Sequence, residues 1–515
     1  MVASLLKVLT TGIEDERLYF KETLYPFMKI WYRAGRFTTQ WTRFDFDNTP
    51  TFGNTAFFRI TRRGHLCTRL FLVTTMPDIY TAQAEAILSA GDDFAGPRFG
   101  WTNSLGHALI YRAQLDIGGS RVENLDGRLL EVMDEFCIPL EKTTATNRLI
   151  KRADNGFTQL TWGNDPAQKQ TTVITPLPFW FARGDPGCAL PVDAIAYDEI
   201  RVGIHFRTLN GVYYTDSRVV NNTSFEDGTS LWPIVNSPFY RYDAGGTVVP
   251  GLADSAGNPV TSPVSPIQGI TMPGQNALQL GETYILAEFA YLDQPEANRF
   301  RLADIQVPIV QHYAMKSFDT HGLPRARIPV DVPNPMRDLF WMVQRREAPT
   351  YNAHFLATRD LKGTGNSDRE PWWPDALGLS ATQPNYLRPA WALRNSEPIL
   401  AMALTYEGNL VRLRTEAMAL FRSGFSSIDQ KKSPWVNRYY YNFSPGIQNL
   451  YSCFSRPRGE ANLDKIERNE LVLEFAPARG SLNINNVHHY VVHIWAETYN
   501  MLRVYGGRAG VMFAY

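Results

Sequence analysis

Little in this sequence marks it for chemistry. Its four cysteines, Cys67, Cys137, Cys188 and Cys453, are scattered through 515 residues with no C-x-x-C spacing. That excludes the usual zinc-site and dithiol patterns. They read as buried thiols, since disulfide frameworks belong to small secreted chains. No stretch approaches the roughly 18 consecutive apolar residues of a membrane span. Neither sign of charge is in excess: Lys plus Arg and Asp plus Glu each number 51, whereas a coat for nucleic acid carries a basic surplus. No P-loop, G-x-G-x-x-G, G-x-S-x-G or H-E-x-x-H occurs, and "GTGNSDRE" (363–370) lacks the Lys-Ser/Thr that a P-loop requires. Long helical periodicity is scarce as well.

What the chain has instead is alternation, in an aromatic-rich composition (13% Phe, Trp and Tyr). In "EIRVGIHFR" (199–207), Ile200, Val202, Ile204 and Phe206 share one face. "RAQLDIGGS" (112–120), "TYILAEFAYLD" (283–293) and "ELVLEF" (470–475) alternate in the same way, and turn signals such as "IGGS" and "YGG" punctuate them. Two segments have helical spacing, "LDGRLLEVMDEF" (125–136) and "LVRLRTEAMALFR" (410–422). Residues 208–282 and 358–386 are rich in Gly, Pro, Ser, Asn and Thr and read as long loops. The apolar ending "GGRAGVMFAY" reads as a last strand docked into the core, since loose chain ends are ordinarily polar and frayed.

A repeat organises these strands. "FARGDPGCALPVDAIAYDEIRVGIHF" (181–206) and "FSRPRGEANLDKIERNELVLEF" (454–475) share Phe-x-Arg, Gly, Ala, Ile, then Glu four residues on, then a strand ending in Phe. Phe181, Arg183, Gly187, Ala189, Ile195, Glu199 and Phe206 correspond to Phe454, Arg456, Gly459, Ala461, Ile466, Glu470 and Phe475. An offset of about half the chain predicts two similar β-domains. The expected fold is all-β: two consecutive eight-stranded antiparallel jelly rolls with long loop insertions and a few short helices. The expected division is an N-terminal arm over 1–27, a first jelly roll over 28–293 with the insertion 208–282, and a second over 296–515.

In order along the chain, "GIEDERLYF", "PFMKIWYRAGRFT", "ITRRGHL", "GHALIYRAQLDIGGSRVENLDGRLLEVMDEF", "LPFWFARGDPGCALPVDAIAYDEIRVGIHFR", "YLDQPEANRF", "VPNPMRDLFWMVQRRE", "GEANLDKIERNELVLEF" and "YNMLRVYGGRAGVMFAY" together resemble the double jelly-roll major capsid proteins of large icosahedral double-stranded DNA viruses of eukaryotes. The resemblance implies a structural subunit and no enzyme. It implies homotrimers that form pseudo-hexagonal capsomers of a virion shell. It also implies contacts with neighbouring capsomers and with minor capsid and penton proteins, an internal membrane within reach of the N-terminal arm, and assembly in the host cytoplasm. No direct nucleic-acid contact and no cofactor is expected. The alternatives are a minor capsid or scaffold protein of the same fold, a glycan- or receptor-binding β-sandwich of the virion surface, and a β-sandwich glycosidase.

Candidate site residues are few, and no catalytic, cofactor or metal set emerges. N-x-S/T sequons occur at Asn221, Asn222 and Asn442. "HHYVVH" (488–493) places His489 and His493 on one strand face, where a pH-sensitive contact is one reading. Cys188 and His205 lack a third orienting group. Asp92-Asp93 and Glu141 have nothing to fix a carboxylate separation. "PWWPDALG" (371–378) reads as a loop pinned by its tryptophans or as a glycan contact.

Overall fold

The alternating segments become strands, and the strands pair in two matching sets. The computed structural model describes residues 37–77, 98–102, 104–152, 171–183, 186–216, 279–346, 354–355, 398–407, 410–415, 421, 439–444, 459–476, 487 and 489–513. The first set is β1 (Phe37–Phe44), β2 (Thr55–Arg59), β3 (Leu66–Thr75), β4 (Arg98–Trp101), β5 (Ile110–Ile117), β6 (Ser120–Asp126), β7 (Thr172–Pro176), β8 (Ile200–Phe206), β9 (Tyr213–Asp216) and β10 (Thr283–Leu292). The second is β11 (Ile305–Ala314), β12 (Phe318–Asp319), β13 (Arg325–Pro329), β14 (Met336–Arg345), β15 (Ile399–Tyr406), β16 (Leu410–Thr415), β17 (Tyr440–Phe443), β18 (Glu470–Phe475), β19 (Tyr490–Tyr505) and β20 (Arg508–Val511).

The first set forms sheets ordered β1-β10-β3-β7 and β2-β8-β5-β6; the second forms β11-β19-β14-β17 and β13-β18-β15-β16. With β4, β9, β12 and β20 set aside, the two orders correspond strand for strand. This is the double jelly roll, antiparallel throughout. The repeat seen in sequence falls on β8 and β18, each second in its sheet. It also falls on two equivalent bridges, Cys67 with Leu190 and Met336 with Ala461. The bridge aligns Ala461 with Leu190, one residue beyond the Ala189 that the sequences matched.

The alternation is explained by burial. Ile200, Val202, Ile204 and Phe206 of β8 pack with Ala113, Leu115 and Ile117 of β5 in the first core. Leu471, Leu473 and Phe475 of β18 pack with Met402 and Leu404 of β15 in the second. The Gly118-Gly119 and Gly506-Gly507 pairs all have positive φ, at 58°, 83°, 58° and 78°. That is what a two-residue turn between right-twisted strands requires.

Among the described residues four α-helices join the sheets: α1 (Leu105–Leu109), α2 (Gly127–Cys137), α3 (Leu140–Ile150) and α4 (Gln294–Leu302). Helix α2 is the one expected over 125–136. Asp126 caps it, its Oδ1 accepting from Leu129 N at 2.8 Å, and Leu129, Leu130, Met133 and Phe136 are buried. Beneath it the buried Arg152 guanidinium pairs with Glu131, Asp134 and Glu135. Burial alone would weaken the charge on Arg152, but the three carboxylates hold it well above the ordinary range. This ties α2 to the end of α3.

Several expectations change. Residues 410–415 are strand β16, paired with β15, because the ladder outweighs a weak helical pattern; residues 416–420 and 422 lie outside the described residues. Within 208–282, residues 213–216 form β9 and pair with β4, so the insertion begins in a short ladder; residues 217–278 lie outside the described residues. The chain ending is not a core strand. Among the described residues β20 pairs with β19 alone, at its far end, and Met512 and Phe513 are exposed. Cys137 is disulfide-bonded, while Cys67 and Cys188 are thiols. Spacing along a sequence reveals only local pairs, so this bond was not legible there. Residues 1–27 and 358–386 lie outside the described residues.

Candidate assembly interfaces

The two rolls share a junction built from alternate residues of single strands. On β14, Leu339, Trp341 and Val343 face the second core, while Phe340 and Met342 join the core cluster of the first roll. Tyr440 and Trp495 do likewise from β17 and β19. The outer face of sheet β11-β19-β14-β17 is therefore buried against the first roll. Its counterparts there are α2 and the edge strand β6: Phe136 meets Phe340 with ring centroids 6.0 Å apart, and Trp495 Nε1 donates to Asp126 Oδ2 at 2.9 Å.

Beside this apolar contact lies a buried network of charge. His312 places Nδ1 2.7 Å from Glu123 Oε1 and Nε2 3.0 Å from Glu497 Oε1. Arg183 Nη1 donates to Glu497 Oε1 at 2.7 Å, and Arg337 Nε lies 3.6 Å from Glu497 Oε2. Gln311 Nε2 donates to Val122 O at 2.6 Å, and Gln311 Oε1 accepts from Asn500 Nδ2 at 2.7 Å. Glu123, Arg183, His312 and Glu497 are all buried. Burial pushes the Glu497 carboxyl up, but Arg183 and then Arg337, with the His312 hydrogen bond, outweigh it and hold it well below the usual range. A buried network of this kind contributes little net stability but penalises any other docking geometry. It fixes how one roll sits on the next.

Among the described residues the equivalent outer face on the first roll has no such cover. Sheet β1-β10-β3-β7 turns Phe44, Leu70, Leu72, Val173, Ile285, Ala287 and Phe289 into the core. Its other face carries Phe37, Trp41, Phe71, Ile174, Tyr284 and Leu286 by register, interspersed with Arg43, Arg69 and Glu288. Phe37 and Trp41 are 67% and 46% exposed, and Phe71, Ile174, Tyr284 and Leu286 only half-buried. Trp41 lies against Phe71 with centroids 5.6 Å apart, and the Arg43 guanidinium sits 4.1 Å above the Tyr284 ring. The free face of an antiparallel sheet is ordinarily polar, and a contiguous apolar face marks an interaction surface.

The residues singled out from sequence fall elsewhere. Asn221, Asn222, Asp92, Asp93 and the segment 371–378 lie outside the described residues. Asn442 is buried in β17, its Nδ2 3.3 Å from Leu339 O, which leaves no path for a glycan. Glu141 is exposed at the start of α3. His205 Nδ1 bonds Thr55 Oγ1 at 2.8 Å, with no link to Cys188. His493 stacks on Trp495 and lies 2.8 Å from Ser317 Oγ. Burial, with Arg128, pushes it down to about 3. It stays neutral from pH 5 to 8 in the folded chain, so it is no charge switch there. Among the described residues no cluster of His, Cys, Asp or Glu is arranged to hold a metal.

Comparison with known proteins agrees with the fold and narrows it. Residues 26–231 match the family model of the major capsid protein N-terminus. The crystal structure of PBCV-1 VP54 superposes with a TM-score of 0.62 at 16% identity, over 95% of this chain and 100% of that one. The chain is thus similar in sequence to major capsid proteins, and in fold to a solved capsid protein. Capsid protein 1 of Acanthamoeba polyphaga mimivirus is 25% identical over 220 residues, 41% of this chain and 36% of that protein. The major capsid protein of Chrysochromulina ericina virus is 21% identical over 400 residues, 70% of this chain and 60% of that protein. The chain thus spans less than two thirds of the length of these curated relatives.

Proposed function

We propose that the chain is a major capsid protein, a structural subunit without enzymatic activity that forms trimeric, pseudo-hexagonal capsomers of an icosahedral shell. The observation that carries this reading is the junction inside the chain. It is head-to-tail: the outer face of one roll packs on the edge strand and helix of another. Because the rolls are equivalent, the first roll's uncovered outer face and the second roll's edge strand β16 are the two unused halves of the same contact. Heterologous contacts generate rings when the rotation closes. Three chains with two rolls each make a ring of six, alternating covalent and non-covalent junctions. The uncovered face carries the aromatic side chains that interface cores favour.

The wider partners follow from the same reading: neighbouring capsomers, minor capsid and penton proteins, and an internal membrane reached by residues 1–27. The location is the virion, with assembly in the host cytoplasm. The test is the molar mass of the purified protein by light scattering, with particle images of the same fraction. Three chains with a hexagonal outline is the expected result. A chain that stays monomeric at high concentration, even when co-expressed with the virus's other capsid components, overturns it.

A further inference from the structure

Three β-bulges recur at matching places in the two rolls and bring them into residue-by-residue correspondence. Thr68 of β3 and Arg337 of β14 are the extra residues opposite β10 and β19. Tyr111 of β5 and Leu400 of β15 are those opposite β8 and β18. Val122 of β6 and Arg412 of β16 are those opposite β5 and β15. A bulge is a fixed feature of a fold, so each marks equivalent positions. Counted from them, Glu288 is the counterpart of Glu497, Leu286 of Trp495 and Phe71 of Phe340. Trp41 pairs with Glu288 across the ladder as His312 pairs with Glu497. Trp41 is therefore the counterpart of His312, and Gln40 of Gln311. On the edge strands Leu413 holds the register position of Glu123, opposite Leu404 as Glu123 is opposite Leu115.

Two contacts of the internal junction can then be set beside their counterparts. Within the chain, Gln311 Nε2 donates to the carbonyl of the bulge residue Val122 at 2.6 Å. Its counterpart Gln40 is again a glutamine. The counterpart target is the carbonyl of the bulge residue Arg412, a backbone group that does not depend on the side chain. His312 Nδ1 lies 2.7 Å from Glu123 Oε1, and both side chains are fully buried. Here the two counterparts change together: Trp41 stands for His312 and Leu413 for Glu123. They come from opposite halves of the chain. A tryptophan facing a buried glutamate, or a buried histidine facing a leucine, would leave a polar group desolvated without its partner. Changed together, they exchange a polar contact for an apolar one.

We propose that residue 41 of one copy docks at residue 413 of another, with Gln40 donating to the Arg412 carbonyl, and that the exchange of a polar for an apolar pair distinguishes the junction between chains from the junction within one. This pairing rests on the trimeric capsomer reading. A β6 edge on the open face of another first roll sets Glu123 against Trp41, with no donor in place of His312. A β16 edge on the outer face of a second roll sets Leu413 against His312 and leaves Nδ1 without its acceptor. Both mismatches bury an unpaired polar group, and specificity is the difference between matched and mismatched contacts. First and second rolls are thereby held in alternation around the ring, which is what three chains of two rolls need in order to close.

The experiment places the photo-reactive residue p-benzoylphenylalanine at position 41 of the full chain, an aromatic for an exposed aromatic. Light scattering gives the molar mass of the purified protein, which is then irradiated, and linked peptides are mapped by mass spectrometry. The expected product joins two chains, with the link on residues 410–415 of the second. Trp41→His and Leu413→Glu, each alone, should raise the concentration at which trimers dissociate by about tenfold or more, since each buries a polar group without its partner. The two together recreate the arrangement of His312, Glu497 and Glu123 at positions 41, 288 and 413 and should recover most of the wild-type assembly. Melting temperatures identify a variant that fails by unfolding, in which case the photo-crosslink decides alone. Trimers whose link falls outside 410–415, or a folded double variant that assembles no better than its singles, overturn the pairing and leave the capsomer reading in place. A wild type that stays monomeric overturns the capsomer reading and the pairing with it.

Discussion

Replacing Glu497 with glutamine tests the idea that a buried charge network sets the angle between the rolls. The change keeps shape and volume and removes one negative charge. In the wild type that carboxylate takes Arg183 Nη1 at 2.7 Å and lies 3.0 Å from His312 Nε2. Arg337 Nε lies 3.6 Å away. Without it, Arg183 and Arg337 keep buried charge with less compensation. Breaking one partner of a buried pair costs about 3–5 kcal/mol. For a unit of about 200 residues that is on the order of 10 °C in Tm.

Differential scanning calorimetry of the purified chain reads the shift, and the pH profile identifies its origin. Glu497 titrates well below its ordinary value in the folded state. Its contribution is therefore complete above the unfolded value near 4.5 and is lost as the pH falls through the lowered folded value. The deficit of Glu497→Gln should be constant from pH 5 to 8 and shrink in acid. Glu470→Gln, which removes a half-buried carboxylate 3.8 Å from the exposed Arg327, should cost less than about 1 kcal/mol. The reasoning is refuted if Glu497→Gln melts within about a degree of wild type, or if its deficit does not shrink in acid.

Four further outcomes follow from the same structure. Trp41→Arg together with Phe71→Arg places charge on the uncovered sheet face and should give folded monomers by light scattering with a near-normal Tm; trimers that survive it would exclude that face from the ring. His493 is held at about 3 against 6.5 unfolded, so its contribution is complete above pH 6.5 and declines below it, by about 1–2 kcal/mol at pH 5; His493→Gln should flatten the chemical-denaturation profile over that range. Gly127→Ala drives a methyl into the carbonyl oxygens of His107 and Ile110 and should cost about 1–3 kcal/mol in urea unfolding. Deleting residues 506–515 removes an edge hairpin whose Ala509 and Val511 pack only partly on the core, so both rolls should still fold, with Tm lower by a few degrees on the scale of about 1–2 kcal/mol.

Much of the fold was legible because its signals are periodic and local. Ile200, Val202, Ile204 and Phe206 declare a strand at a spacing of two, and the Gly-Gly pairs declare its turns. The duplication was legible because the strands β8 and β18 kept the same approach sequence. β16 was missed because Leu410, Leu413 and the apolar residues that follow fit a helical spacing, while a ladder to β15 decides the matter. The junction was beyond reach. Glu123, Arg183, His312 and Glu497 come from four separate segments, and each reads alone as an ordinary polar residue. One signal for the open face was present. In "TYILAEFAYL", Tyr284 and Leu286 are apolar between Ile285 and Ala287, and a strand apolar on both sides expects cover on both.

That signal connects the duplication to the assembly. A single jelly roll needs one apolar side per sheet, and its outer faces are free to be polar. Once two rolls are fused and one packs its outer sheet face on the edge and helix of the other, the same face on the first roll becomes a half-contact waiting for a partner of known shape. In the proposed capsomer that partner is the second roll of another copy. On that proposal the apolar outer face of β1-β10-β3-β7 serves assembly rather than folding. The buried ions at the internal junction have the complementary role, since a ring closes only if every junction turns by the same angle. An apolar contact alone tolerates sliding, whereas a network that leaves Glu123, Arg183 or Glu497 unpaired in any other register does not. Substitutions in that network should therefore broaden capsomer geometry before they prevent folding, and averaged particle images of Glu497→Gln should show blurred or open rings at temperatures where the chain is still native.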